Sequence, residues 1–129
     1  MKKTNPECSI TVIERNPADS TFGWGIVFSD ETMAGFRDSD PELFAEIERN
    51  FHHWDNVDVF IKGCKLTSDG HGFAGMGRLK LIQILQARAR ELGITLELGS
   101  EIKEPEHYAD KYDLVIGADG VNSATRTRY

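Results

Sequence analysis

The chain lacks a long hydrophobic run, a metal-binding pattern of cysteines and an excess of positive charge. No stretch approaches the roughly 20 apolar residues that span a bilayer, and the first residues lack the apolar core of a secretion signal. The two cysteines, Cys8 and Cys64, have neither metal-binding nor redox spacing, which favours reduced thiols in a cytoplasmic protein. A net charge of -6 argues against a nucleic-acid partner, because a phosphate-binding surface needs excess Lys and Arg.

Patterns for metal binding or nucleophilic catalysis are also missing. His52 and His53 are adjacent, so their side chains point apart, and neither His71 nor His107 has ligand spacing to them. No serine or cysteine occupies a nucleophile elbow. We therefore predict no metal site, and a hydrolase is disfavoured.

The residues that are present predict one α/β domain over 1–129, without repeats or linkers. Apolar and alternating segments predict strands at 9–13, 57–63, 64–67, 94–98 and 114–118, the second and third forming an antiparallel ribbon. Helical spacing predicts helix over 31–51, broken at 38–41, and over 78–92. The segment 21–30 is expected to be irregular. A helix joining two strands implies a right-handed crossover and parallel pairing.

The second predicted helix has its apolar residues at helical spacing, and we expect one face of it to be buried. That face is formed by Leu79, Ile82, Leu85, Ala89 and Leu92.

The most informative candidate site is Asp119-Gly120, which follows the apolar run Leu114–Ala118. In α/β sheets, ligands bind in the crevice beyond the carboxyl ends of buried strands. A structural alternative stays open, since Asp119 or Asn122 can cap the next helix.

Glu14 and Arg78 are the other candidates from the residues alone. Glu14 ends the first predicted strand, where an acid in a dinucleotide-binding fold accepts hydrogen bonds from the adenosine ribose. Only 13 residues precede Glu14, too few for a strand, a glycine turn and a helix. We therefore expect either that Glu14 is a solvated residue at a strand end or that the chain lacks its natural beginning. Arg78 begins a helix, where it can meet a phosphate together with free N–H groups, although such an arginine is often simply solvated.

The run Gly70–Gly75 matches the glycine pattern of dinucleotide-binding proteins, with Glu97 downstream. The preceding residues form a polar ribbon rather than a buried strand, and the helix begins after the glycines. We therefore interpret this run as a loop, and keep an NAD-binding oxidoreductase as an alternative hypothesis.

Several motifs together resemble the single-component FAD-dependent aromatic hydroxylases, along nearly the whole chain. They are Glu14-Arg15, the run Phe22–Ser29, Arg78 leading a helix, and Asp119-Gly120 with Asn122, Ser123 and Arg126. The segments 21–25, 53–55 and 70–73 look most like the salicylyl-CoA hydroxylase and aminobenzoyl-CoA monooxygenase branch.

This resemblance implies FAD as cofactor, NAD(P)H as reductant, and a small aromatic substrate, free or linked to CoA. It places Glu14 at the adenosine ribose, Arg15 beside the adenine, and Arg78 near the ribityl chain and pyrophosphate. It places Asp119-Gly120 close to the pyrophosphate. The chemistry then belongs mainly to the flavin, and the protein positions the reactants and excludes water. The resemblance therefore implies no catalytic side chain in this chain.

The chain departs from this family in having no amino-terminal glycine fingerprint and no later Gly-Asp segment. The resemblance therefore implies a partial Rossmann-like FAD-binding domain without its first βα unit, an interior fragment that binds FAD weakly and is inactive by itself. Its first strand is expected to expose an unpaired edge, which favours aggregation. A non-catalytic nucleotide-binding or protein-interaction module remains a third hypothesis.

Overall fold

A computed structural model describes all residues, 1–129. The strands are β1 (Thr11–Glu14), β2 (Gly25–Ser29), β3 (His52–Trp54), β4 (Val57–Ile61), β5 (Cys64–Ser68), β6 (Phe73–Gly77) and β7 (Thr95–Leu98). The helices are α1 (Asp30–Ser39), α2 (Pro41–Glu48), α3 (Arg78–Glu91), α4 (Glu106–Ala109) and α5 (Ala124–Arg128). No helix has the length and apolar character that a membrane span requires.

The strands form three small sheets. Strands β1 and β7 pair in parallel, β2-β6-β3 is an antiparallel sheet, and β4 and β5 form an antiparallel ribbon. The predicted mixture of parallel pairing and an antiparallel ribbon is therefore present. The parallel partner of β7 is β1, whereas α3 connects β7 to β6 of a different sheet.

The hydrophobic core lies between the three-stranded sheet and helices α1, α2 and α3. Two alternate residues of β6, Ala74 and Met76, face this core, as expected where side chains alternate across a strand. The remaining buried apolar residues are Met33, Phe44, Ile47, Phe51, Leu81 and Ile84.

The predicted break in the first helical region is confirmed. Ser29 caps α1 by accepting a hydrogen bond from the Thr32 N–H, and Asp40 caps α2 by accepting one from the Leu43 N–H. Pro41 is the first residue of α2, where its missing N–H costs nothing. The two helices therefore begin and end at signals that are local in the sequence.

The prediction of irregular structure over 21–30 is wrong for the second half of the segment, because residues 25–29 form β2. All five residues pair with β6, so the strand depends on a partner almost 50 positions away. The glycine-rich run is also partly strand, since Phe73–Gly77 is the central strand of this sheet. Long-range pairing outweighs the low strand propensity of glycine at these positions.

The predicted buried face of α3 is wrong. The helix buries Leu81 and Ile84, whereas Leu79 and Leu85 are exposed. Apolar residues lie on more than one side of this helix, so periodicity alone does not fix the side that packs on the core.

Replacing Leu81 with alanine is expected to lower the free energy of unfolding by about 2 kcal/mol, because the removed side chain leaves a cavity. Leu81 is 6% exposed and Leu79 is 37% exposed. Leu79→Ala is the matched control in the same helix, and we expect it to cost less than about 1 kcal/mol. Urea unfolding followed by circular dichroism measures the loss of unfolding free energy in both variants. Equal losses would indicate that Leu79 packs on the core as tightly as Leu81.

The predicted buried strand Leu114–Ala118 is wrong for this chain. These residues are exposed and form no strand. Strand β1 pairs with β7 on one edge, and no strand lies on its other edge. The segment 114–118 is apolar enough for a buried strand, but it makes no backbone hydrogen bond to β1 or to any other residue.

Candidate functional site

Glu14 is the last residue of β1, at the carboxyl end of the parallel pair, as predicted. Its Oε1 accepts hydrogen bonds from the backbone N–H and the Nδ2 of Asn16, both at 2.7 Å. These bonds orient the exposed carboxylate and leave Oε2 without a hydrogen bond. Arg15 follows in a bend, is exposed, and makes no ion pair.

Arg78 is the first residue of α3, also as predicted. The helix is preceded by Gly77, so no side chain caps its N-terminus, and its first turn contains no acidic residue. Arg78 and Lys80 both lie in that turn and neither makes an ion pair. Most helices have a capping oxygen or acids here, whereas this one has two cations and no side-chain cap for the N–H groups of its first turn.

An aromatic loop contacts this helix start. The Arg78 N–H donates a hydrogen bond to the Trp24 carbonyl oxygen at 3.1 Å. Trp24 is 97% exposed, and Phe22 is also largely exposed. Between them Gly23 has a φ of 78°, which favours glycine. The hydroxyl of Thr21, just before the loop, is buried without a hydrogen-bond partner.

Asp119 organises the turn that leads into α5. It accepts a hydrogen bond from the Ser123 hydroxyl at 2.6 Å and one from the Thr125 N–H at 3.0 Å. These bonds stabilise the charged carboxylate and hold the pKa of Asp119 well below its usual range. Gly120 adopts a φ of 80°, which a side chain would strain. Asp119 therefore bonds to the first turn of α5 without being its N-cap, and Asn122 is not the N-cap either.

Close packing against α5 explains the glycine at position 117, just before this turn. A Cβ atom at Gly117 would lie 3.0 Å from the Thr125 Cγ2 atom. Ser123 is itself the N-cap of α5, because its hydroxyl accepts a hydrogen bond from the Arg126 N–H. Glycine at position 117 thus lets the first turn of α5 pack close against the segment that precedes Asp119.

The structure links the end of β1 to α3, which the sequence did not predict. The Gln86 side chain donates to the Ala18 carbonyl oxygen at 2.9 Å, and Gln83 donates to the Asp19 carboxylate at 3.3 Å. The loop that leaves Glu14 is therefore held along the helix that begins at Arg78.

The glycine run Gly70–Gly75 does not form a dinucleotide-binding turn. Gly70 and Gly72 lie in the loop after β5, and Gly75 lies within β6 under the indole of Trp54. A Cβ atom at Gly75 would come within 2.9 Å of that ring. These glycines serve a turn and a close side-chain contact, and α3 begins only at Arg78.

No family model matches the chain, but it has sequence relatives. It is 37% identical to salicyloyl-CoA 5-hydroxylase from Streptomyces sp over 129 residues, all of this chain and 25% of that protein. It is 29% identical to 3-hydroxy-4-methyl-anthranilyl-(aryl-carrier protein) 5-monooxygenase from Streptosporangium sibiricum over 117 residues, 91% of this chain and 32% of that protein. The chain thus spans a quarter to a third of these relatives.

A solved structure of 2-methyl-3-hydroxypyridine-5-carboxylic acid oxygenase has a similar fold. It superposes with a TM-score of 0.62 at 18% identity, over 72% of this chain and 25% of that one. The resemblance predicted from the sequence motifs is confirmed, since the relatives are a hydroxylase and a monooxygenase and include a salicyloyl-CoA hydroxylase.

Proposed function

We propose that this chain, a relative of these hydroxylating monooxygenases, forms part of an FAD-dependent enzyme. That enzyme would hydroxylate an aromatic substrate, with NAD(P)H as reductant. The observation that carries the proposal is the 37% identity to salicyloyl-CoA 5-hydroxylase along all 129 residues. The names of the two relatives refer to CoA and carrier-protein derivatives, which favours a thioester of an aromatic acid as substrate.

The residues around the start of α3 fit a flavin dinucleotide. Its diphosphate is an anion, and the uncapped helix start with Arg78 and Lys80 is suited to an anion. Its ring system is flat and aromatic, and Trp24 and Phe22 expose aromatic faces beside that helix start. The unpartnered Thr21 hydroxyl supplies a hydrogen-bonding group next to the same loop.

The other candidate residues have separate roles in this proposal. Glu14 accepts hydrogen bonds from the adenosine ribose through Oε2, since Asn16 already occupies Oε1. Arg15 lies beside the adenine. Asp119 cannot itself bind a diphosphate, because both are anions, so it holds Gly120 and the turn in position near the pyrophosphate.

FAD, when bound, would supply the redox chemistry: acceptance of hydride from NAD(P)H and activation of oxygen. The residues of this chain bind, orient and exclude water, and none transfers a proton. Variants of Arg78 or Glu14 should therefore change cofactor affinity without changing the pH dependence of the hydroxylation itself.

A chimera tests the proposed function. The aligned quarter of the Streptomyces salicyloyl-CoA 5-hydroxylase is replaced by these 129 residues, and the purified protein is assayed with salicyloyl-CoA. We expect bound FAD and hydroxylated product, because the replaced parts share sequence along their whole length. Flavin absorbance and product chromatography are the measurements, with the unaltered hydroxylase as the reference.

A chimera with native-like circular dichroism but no bound flavin would contradict the proposal. The 129 residues alone are the complementary sample, since they carry only some of the proposed cofactor contacts. Titration with micromolar FAD, followed by flavin fluorescence, is expected to show little binding. Stoichiometric binding in that titration would contradict the expectation that other segments are required.

A further inference from the structure

The three-stranded sheet packs one face on the core and leaves much of its other face exposed. Ala74 and Met76 of β6 point into the core, so the residues that alternate with them point to the opposite side. The same alternation in β2 turns Val27 outward, and Val27 is 53% exposed. We call this side of the sheet the outer face. It includes Gly25, Val27, Trp54, Phe73, Gly75 and Gly77.

The outer face begins beside the proposed cofactor site. The Arg78 N–H donates to the Trp24 carbonyl oxygen at the end of the sheet, and the first residue pair within the sheet is Gly25 with Gly77. Both glycines are exposed, and this first row has no side chain. The second row, which contains Val27, lies about 7 Å further along the strands. A flat surface therefore borders the residues that would hold FAD.

The indole of Trp54 ends this flat surface. A Cβ atom at Gly75, in the second row, would lie 2.9 Å from two carbon atoms of the indole, so the ring lies directly on the glycine. The indole also contacts the Phe73 ring, with centroids 5.9 Å apart, and His71 in turn stacks on Phe73 at 5.3 Å. These contacts hold the indole as a wall across the second row, and Trp54 is 38% exposed.

We propose that Trp54 limits the size of the aromatic acyl group that the enzyme accepts. This inference rests on the proposed function, because it places the substrate ring on the outer face, between the flavin and the indole. A planar ring covers the exposed glycines without meeting a side chain, and its edge contacts the indole. The first row and the wall are about 7 Å apart, close to the width of one benzene ring. A second fused ring would overlap the indole.

The chemistry of the outer face favours a small planar ligand over a protein surface. Gly25 and Gly77 contribute no side chains that could interlock with another chain. Strand β6 is the central strand, so its backbone groups already pair on both edges. An aromatic ring needs neither feature, since it gains from apolar and aromatic contacts. The reacting carbon must also come within about 3.5 Å of the flavin, and the outer face adjoins the start of α3.

The test uses the chimeric hydroxylase with two substrates, salicyloyl-CoA, which has one ring, and 1-hydroxy-2-naphthoyl-CoA, which has two fused rings. We expect Trp54→Ala to raise the ratio of kcat/KM for the two-ring thioester to that for the one-ring thioester about tenfold, because alanine leaves room for the second ring. Phe60→Ala is the control, since Phe60 is an exposed aromatic residue of the β4-β5 ribbon. We expect the control to leave the ratio unchanged. Flavin absorbance checks that all samples contain equal FAD.

A second pair of variants tests the position of the indole. Gly75→Ala places a methyl group where the indole lies, so the indole must move away from the sheet and into the space of the substrate ring. We expect kcat/KM for salicyloyl-CoA to fall about tenfold, and Trp54→Ala in the same chain to restore it. A substitution that merely damaged the sheet would not be rescued by removal of the indole.

The outcomes separate this inference from the proposed function. The chimera can hydroxylate salicyloyl-CoA while Trp54→Ala leaves the ratio unchanged or lowers both rates equally, and either result overturns the role of Trp54 alone. Failure of Trp54→Ala to rescue Gly75→Ala also overturns it. A chimera that folds but forms no product contradicts the proposed function, and the placement of the substrate ring is then wrong as well.

Discussion

Replacing Asp40 with alanine is expected to lower the free energy of unfolding by about 3 kcal/mol, because the change breaks a buried ion pair from one side. Asp40 lies between α1 and α2, and its carboxylate accepts hydrogen bonds from Nε and Nη2 of Arg88 at 2.9 and 3.0 Å. The Asp40 side chain is 11% exposed and that of Arg88 is 15% exposed. Removing the carboxylate leaves a largely buried guanidinium with only exposed partners, Glu42 and Glu91.

Asp40 also holds two other parts of the chain. Its Oδ1 accepts a hydrogen bond from the Leu43 N–H at 3.3 Å, which caps α2, and lies 3.1 Å from the Lys3 Nζ. Asp40→Asn retains a side-chain oxygen for the cap but loses the charge. We therefore expect the asparagine variant to recover about 1 kcal/mol of the alanine loss.

The same carboxylate makes stability depend on pH. The hydrogen bonds from Arg88, with smaller contributions from Lys3 and the Leu43 N–H, hold the pKa of Asp40 well below its usual range in the folded protein. In the unfolded chain the pKa returns to about 3.9. The stabilisation is therefore complete above about pH 5 and is lost as the pH falls below 4. The difference in unfolding free energy between wild type and Asp40→Asn should therefore shrink as the pH falls from about 5 towards 3.

Urea unfolding at pH 7 and at pH 3 measures both effects. Glu46→Gln is the control, because Glu46 pairs with Arg49 on an exposed helix face. An exposed pair contributes less than about 1 kcal/mol. If Asp40→Ala cost no more than Glu46→Gln at pH 7, the ion pair would not stabilise the junction of α1, α2 and α3.

Local signals predicted much of the fold. The break before Pro41, the ribbon β4-β5 and the extent of α3 all follow from residues within a few positions of each boundary. A short alternating run at 94–98 predicts strand β7. In each case the sequence contains a helix cap, a turn glycine or a clear hydrophobic periodicity, and these signals act over a few residues.

The errors arose where distant segments decide the structure. Residues 25–29 form a strand by pairing with β6, and β6 itself lies in a run whose glycines predict a loop. The buried side of α3 is set by the sheet it packs on, not by its own period. Leu114–Ala118 shows the converse, since a strand-like sequence does not form a strand without a neighbour.

In the candidate site, too, local sequence signals predict some features, whereas others depend on distant segments. Glu14 and Arg78 lie at the element ends where the sequence predicted them. The contact between Arg78 and the Trp24 carbonyl was not predictable, because it depends on the pairing of β2 with β6. The missing cap at Gly77 is a sequence signal that could have been used, since neither a polar cap residue nor an early acid is present there.

The second large effect is expected for Arg78→Glu in the chimeric hydroxylase. In the proposed function, Arg78 and the free N–H groups at the start of α3 face the cofactor diphosphate. A glutamate there replaces attraction by repulsion at the positive end of a helix. We expect FAD to bind about 100-fold more weakly, which corresponds to about 2.7 kcal/mol. Flavin fluorescence during titration of the FAD-free protein measures the change.

Arg90→Glu is the matched control for this variant. Arg90 lies in the last turn of the same helix, is exposed, and makes no ion pair. The net charge changes by the same amount in both variants, so a purely global electrostatic effect would weaken FAD binding equally. We expect Arg90→Glu to bind FAD within about twofold of the parent chimera, because screening removes most of an exposed charge's influence beyond about 10 Å. Equal losses in the two variants would mean that the start of α3 does not contact the diphosphate, and the role proposed for Arg78 would be wrong.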